Sequence, residues 1–160
     1  MATPASPAPP LAPPEDFEVL EFEVLEEDWN KYELEDYTLI KARLIPTRIE
    51  RPKRGPAAQV SISATPIFSV FAQKRGPRGE TPPQETWQTL EKIPVKIITS
   101  SEPWNKYRIP KTGDVIQVKL IVSEVFRVKD KFDNFGEPFY ILTHSQVVSP
   151  VTKGSTTLKF

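Results

Sequence analysis

Ile116-Gln117-Val118-Lys119-Leu120-Ile121-Val122-Ser123-Glu124-Val125-Phe126-Arg127-Val128 is the stretch that decides the fold. Ile116, Val118, Leu120, Val122, Phe126 and Val128 share one parity, while Gln117, Lys119, Ser123, Arg127 and the following Lys129 take the other. A period of two is that of a β-strand with one buried face. The first set is therefore expected in a core and the second outside it, with Glu124 as the exception on the apolar parity.

Upstream of this strand stands Trp104-Asn105-Lys106-Tyr107, and the same four residues occur as Trp29-Asn30-Lys31-Tyr32. Past each tetrad an offset of 76 pairs Ile40 with Ile116, Ala42 with Val118, Leu44 with Leu120, Ile45 with Ile121, Ile49 with Val125 and Arg51 with Arg127. Polar positions match as well, Arg43 with Lys119 and Thr47 with Ser123, and Pro66-Ile67-Phe68 resembles Pro138-Phe139-Tyr140. Self-similarity at a fixed spacing is the mark of a repeated structural unit. The reading is an all-β chain with two copies of one unit, residues 17–75 and 90–149, joined by a linker at 76–89. Units of this size suggest small β-barrels or half-sandwiches set side by side as a pseudo-dimer. At the position equivalent to Glu124 the first copy has Arg48, a pair that a pseudo-twofold axis would bring together.

The remaining elements follow from turn and breaker residues. Val60, Ile62 and Ile67 to Phe71 supply strand material interrupted by Pro66, which marks an edge or a bend. Asp133, Asn134 and Gly136 tolerate positive φ and predict a hairpin between the strand above and Phe139 to Val148. Glu85 to Lys92, preceded by two prolines, predicts a helical turn or two. Residues 1–14 alternate proline with small residues and are expected as a disordered tail. They lack the basic and apolar regions of a signal peptide, and no run reaches the length of a membrane helix, so a cytoplasmic location is expected. Residues 150–160 are read as a C-terminal tail.

Net charge is zero, yet charge is sorted along the chain: Glu15 to Asp36 holds eleven acids against Lys31 alone, and Lys41 to Arg78 holds nine bases against Glu50 alone. If these segments pair in sheets, cross-strand ion pairs cancel them. If they lie on separate faces, the molecule is polarised and attracts polyanions or copies of itself.

The inventory of reactive groups is short. With no cysteine, disulfides, thiolate metal sites and thiol nucleophiles are excluded. His144 is the one histidine, and nothing in the sequence assigns it a carboxylate partner for acid–base work. Glycine is sparse and forms no phosphate-cradling loop. Asp130, Asp133, Asn134 and Glu137 have the wrong spacing for a calcium loop. No catalytic residue, metal or cofactor is assigned.

The first functional expectation is a non-catalytic binding or assembly module, acting on another protein or on its own copies through strand edges and polarised charge. The second is a single-stranded DNA or RNA binder of small-barrel type. In that reading Lys53, Arg54, Lys74, Arg75 and Arg78 contact phosphates, while Trp29, Tyr32, Trp104 and Tyr107 stack on bases. The alternative role of the aromatics is to cover the ends of the two cores.

Overall fold

Val, Ile and Leu at alternate positions make Asp114–Phe132 a single strand of 19 residues, the longest element of the chain. The computed structural model describes residues 16–53 and 60–149. Residues 1–15, 54–59 and 150–160 lie outside that description, and with them the two tails and Arg54. In order the strands are β1 (Phe17–Leu20), β2 (Glu23–Glu26), β3 (Asn30–Leu34), β4 (Leu39–Pro52), β5 (Ser61–Phe71), β6 (Lys92–Val95), β7 (Ile97–Ser101), β8 (Asn105–Ile109), β9 (Asp114–Phe132) and β10 (Pro138–Val148), with a 3-10 turn at Gln84–Thr89.

Every ladder is antiparallel. One sheet runs β5-β4-β3-β7, with β1 continuing beyond β3 along the same side of β4. The other runs β10-β9-β8-β2, with β6 continuing beyond β8 along β9. Neither closes into a barrel, which corrects the barrel expectation. The buried faces of both sheets meet in one hydrophobic cluster, built around Tyr32, Ile40, Ala42 and Ile49 from one and Tyr107, Ile116, Val118 and Val125 from the other.

The two halves of the chain do not form separate sheets. β2 leaves the first half to pair with β8, Val24 opposite Tyr107, and β7 leaves the second half to pair with β3, Ser100 opposite Tyr32. Each half therefore lends one strand to the other.

The parity reading of β9 holds as far as Val122 and then shifts. Val125 is buried and Phe126 only half so, because Ser123 is an extra residue on β9: Val122 faces His144 while Glu124 faces Thr143. β4 has the same bulge at Thr47, between Pro46 opposite Ala64 and Arg48 opposite Ser63. A bulge moves the alternation by one and bends the strand. Both bulge residues anchor their hydroxyls, Thr47 on the Ser63 carbonyl and Ser123 on the Thr143 carbonyl, each at 3.2 Å. The bulges also account for Arg48 and Glu124, which are exposed where the apolar parity ends. Arg48 pairs with Glu50 on its own strand rather than with Glu124.

The β9–β10 hairpin forms as expected, with the Asp133 carboxylate accepting from the Phe135 and Glu137 amides and Gly136 at φ 83°. The linker does not run free but packs onto this hairpin. Gly76 N–H donates to the Gly136 carbonyl at 2.7 Å and Gly79 N–H to the Asp133 carbonyl at 2.9 Å. Trp87 on the 3-10 turn packs edge-on against Phe139. A Cβ on Gly136 would sit 2.6 Å from the Gly76 carbonyl oxygen, so this position needs glycine for both its φ and its clearance. Gly136→Ala is expected to destabilise the fold by more than ~1 kcal/mol and to raise protease cleavage within residues 76–83, as read by denaturant melts and limited proteolysis.

Candidate functional site

The two W-N-K-Y tetrads alternate along β3 and β8, so Asn and Tyr face inward and Lys outward. Tyr32 and Tyr107 are 0% exposed. A buried hydroxyl needs a partner, and each finds it on the other half of the chain. Tyr32 Oη donates to Glu102 Oε2 at 2.7 Å, and Tyr107 Oη donates to Glu27 Oε2 at 2.9 Å. Glu102 Oε2 also accepts from the Val122 amide, and Glu27 Oε1 from Arg43 Nη2 at 2.6 Å. Asn30 Nδ2 donates to the Leu120 carbonyl at 2.6 Å and to Tyr32 Oη, while Asn105 Oδ1 accepts from the Asp28 amide. The tetrads clasp the two halves together.

Trp29 and Trp104 are half-buried, each beneath a cation from the neighbouring long strand: Arg43 lies 5.6 Å from the Trp29 ring and Lys119 4.7 Å from the Trp104 ring. The expected stacking platform is thus not assembled. Both tyrosine rings are enclosed and the tryptophans already carry cations, since closing the core between the halves takes up the aromatic surface.

Burial raises the Tyr32 and Tyr107 phenols well above the usual value, and the Glu102 and Glu27 carboxylates raise them further. Tyr140 is raised in the same way by burial, with Asp36 adding to the rise and Thr38 opposing it. Thr38 bonds Tyr140 Oη at 3.0 Å, whereas at the matching place, the first residue of β9, the buried Asp114 Oδ1 has no hydrogen-bond partner among the described residues.

The sorted charges meet across strands. Glu18 pairs with Arg51 and Lys111, Glu23 with Arg108, Glu26 with Lys106, Glu27 with Arg43, and Asp36 with Arg127. The acidic segment is spread over both sheets, which favours the structural account of the asymmetry. Lys53, Lys74, Arg75 and Arg78 are exposed, and Arg75 also donates to Glu137 at 3.3 Å. Lys53 stands where β4 ends and Lys74 to Arg78 follow the far end of β5. The 11 residues of β5 place the two clusters roughly 34 Å apart, so they are not one patch.

The outermost strands are surface features that no reactive residue type marks. β5 and β10 are 11 residues each and carry no Asp, Glu, Lys or Arg. Among the described residues the ladder partner of β5 is β4 alone, and that of β10 is β9 alone. The far edge of each therefore presents backbone donors and acceptors. The sequence signal was present in two charge-free runs, residues 55–73 and 138–152. His144 lies on β10, its ring 5.6 Å from Phe68 of β5.

Among the described residues no group of acids and histidine is arranged to hold a metal ion, and no helix is long and apolar enough to cross a membrane. No protein-family model, curated protein or solved structure matches the chain.

Removing either clasp hydroxyl strands a buried carboxylate contact, so Tyr32→Phe and Tyr107→Phe are each expected to cost ~1–3 kcal/mol in denaturant melts. The raised phenols also set a pH limit. Below about pH 10, the ordinary tyrosine value, folded and unfolded chains hold these protons alike. Above it the unfolded chain releases them and the folded chain does not, so stability falls as pH rises. Alkaline titration should show tyrosinate absorbance from Tyr32, Tyr107 and Tyr140 appearing together with loss of the β-sheet circular dichroism; ionisation of all three at intact structure would refute this.

Proposed function

We propose that the chain is a cytoplasmic, non-catalytic binding or assembly module, two tandem copies of one β unit with exchanged strands, acting through protein–protein contacts at its open sheet edges. The observation that carries this reading is the pair of long, charge-free outer strands, β5 and β10, each with one ladder partner among the described residues. Soluble proteins usually protect such edges with charge, prolines or short length, because an exposed ladder recruits a further strand. Strand addition is also a common way to recognise an extended segment, with backbone bonds giving affinity and alternate side chains giving selectivity. On the outward face of β5, Ile67 and Phe71 stand exposed, and on β10 Val147 does. The internal exchange of β2 and β7 is the same mode of recognition used within one chain.

The alternative, a single-stranded DNA or RNA binder, draws support from the exposed Lys53, Lys74, Arg75 and Arg78. Against it stand the enclosure of Tyr32 and Tyr107 and the separation of the two basic clusters by the length of β5.

Charge placed on the edges separates these readings. Ile67→Lys and Val147→Lys alter outward side chains and should leave the circular dichroism unchanged. The wild-type chain is expected to sediment as a defined complex, with its own copies or with a co-purifying protein, and the two lysine variants to lose that complex. A strictly monomeric wild type with no protein partner overturns the reading. So does retention of a labelled single-stranded oligonucleotide at low salt that weakens steeply as salt rises.

A further inference from the structure

We infer that the occupant of the β10 edge is a second copy of this chain, paired β10 to β10 antiparallel about a twofold axis. The inference rests on the reading above and names its partner.

A twofold contact sets each residue near the axis against its own copy, so it tolerates no like charge there. β10 carries none from Pro138 to Val148. Its single proline is its first residue, so every position from Phe139 onward keeps its backbone donor. β5 is also free of charge but has Pro66 at its midpoint and bases beyond both ends, which makes it the poorer ladder.

The state of β10 in the single chain points the same way. Residues 143–148 are exposed on both faces of the strand, Val147 at 38% and Val148 at 37%, although the β9 residues beside them, Leu120 and Val122, are buried. β-branched residues left open on a terminal strand are the composition that a further strand covers.

The geometry supplies enough area. His144 packs on Phe68 and Gln146 Nε2 donates to the Ile62 carbonyl, so β10 lies opposite β5 in the other sheet and both open edges leave the molecule on one flank. A twofold axis just outside the open edge of β10, normal to its sheet, brings β5 beside its own copy too. A strip of roughly 34 Å by 20 Å on each partner amounts to about 1,400 Å² in all, within the range of stable dimers. The bases beyond the ends of β5 then meet like charges at the rim, where salt screens them. The dimer should tighten with added salt, the opposite of a nucleic-acid complex.

The test uses the absence of cysteine in the chain. Single cysteines replace each residue from Ile141 to Val147 in turn in the full-length protein, with circular dichroism to confirm the fold. In an antiparallel twofold pair one position crosslinks to itself on oxidation, and positions equidistant from it crosslink to each other when two variants are mixed. Sedimentation should give twice the chain mass at moderate salt, and Val147→Lys should weaken the dimer about tenfold or more. A crosslink between unlike positions without any self-crosslink, or self-crosslinks that appear only after residues 150–160 are deleted, would overturn the inference. If the wild type is monomeric yet holds a partner protein that Val147→Lys releases, the wider reading stands and this inference falls. If it is monomeric and holds nothing, both fall.

Discussion

A phenol hydroxyl taken out of water must keep a hydrogen bond or cost the fold a large part of its margin. In this chain Tyr32 and Tyr107 are both fully enclosed, and neither half contains the acceptor for its own tyrosine. Glu102 and Glu27 arrive from the opposite half, on the segments that carry β7 and β2 across to the other sheet. The clasp and the strand exchange are one constraint. If the halves separate, both phenols lose their acceptors together and the shared core of Ile40, Ala42, Ile116 and Val118 is opened to water. The single hydrophobic cluster and the enclosure of both tyrosines depend on the halves staying joined.

That closure also decides what remains for recognition. Glu18, Glu23, Glu26, Glu27 and Asp36 of the acidic segment are engaged in ion pairs, and the aromatics of the tetrads are consumed in the core and its cover. Among the described residues six strands have a single ladder partner, and of these β5 and β10, at 11 residues each, are long enough to accept a whole additional strand. A protein whose halves bind one another by lending strands, and whose outer strands stay open, has one mode of contact available at two levels. This is the physical reasoning behind the proposed assembly role. The exposed bases at either end of β5 flank the edge instead of forming a continuous surface for a polyanion.

Much of the fold was legible in local pattern. Period two in residues 116–122, the turn residues Asp133 and Gly136, and the helical turn after Pro83 all appear where the residue types place them. The pattern failed at Ser123 and Thr47, where one extra residue moves the alternation and buries Val125 and Ile49 in place of their neighbours. A bulge is set by the partner strand, which supplies Thr143 and Ser63 as hydroxyl acceptors. Nothing local announces it. The docking of residues 76–89 was hidden for a similar reason: their glycines serve close approach to Phe132 and Gly136, residues distant in sequence.

Alone, the sequence determined that the chain is built of strands, that it lacks thiol chemistry, and that its tetrads and long strands occur twice in the same order, because these follow from side-chain period and residue type. Only the tertiary structure decided that the two sheets share one core, that β2 and β7 change places, that the tyrosines face inward onto carboxylates of the opposite half, and that β5 and β10 are left at the margins. Which strand neighbours which depends on bonds between residues tens of positions apart, and side-chain alternation is the same whether a strand pairs within its own half or with the other.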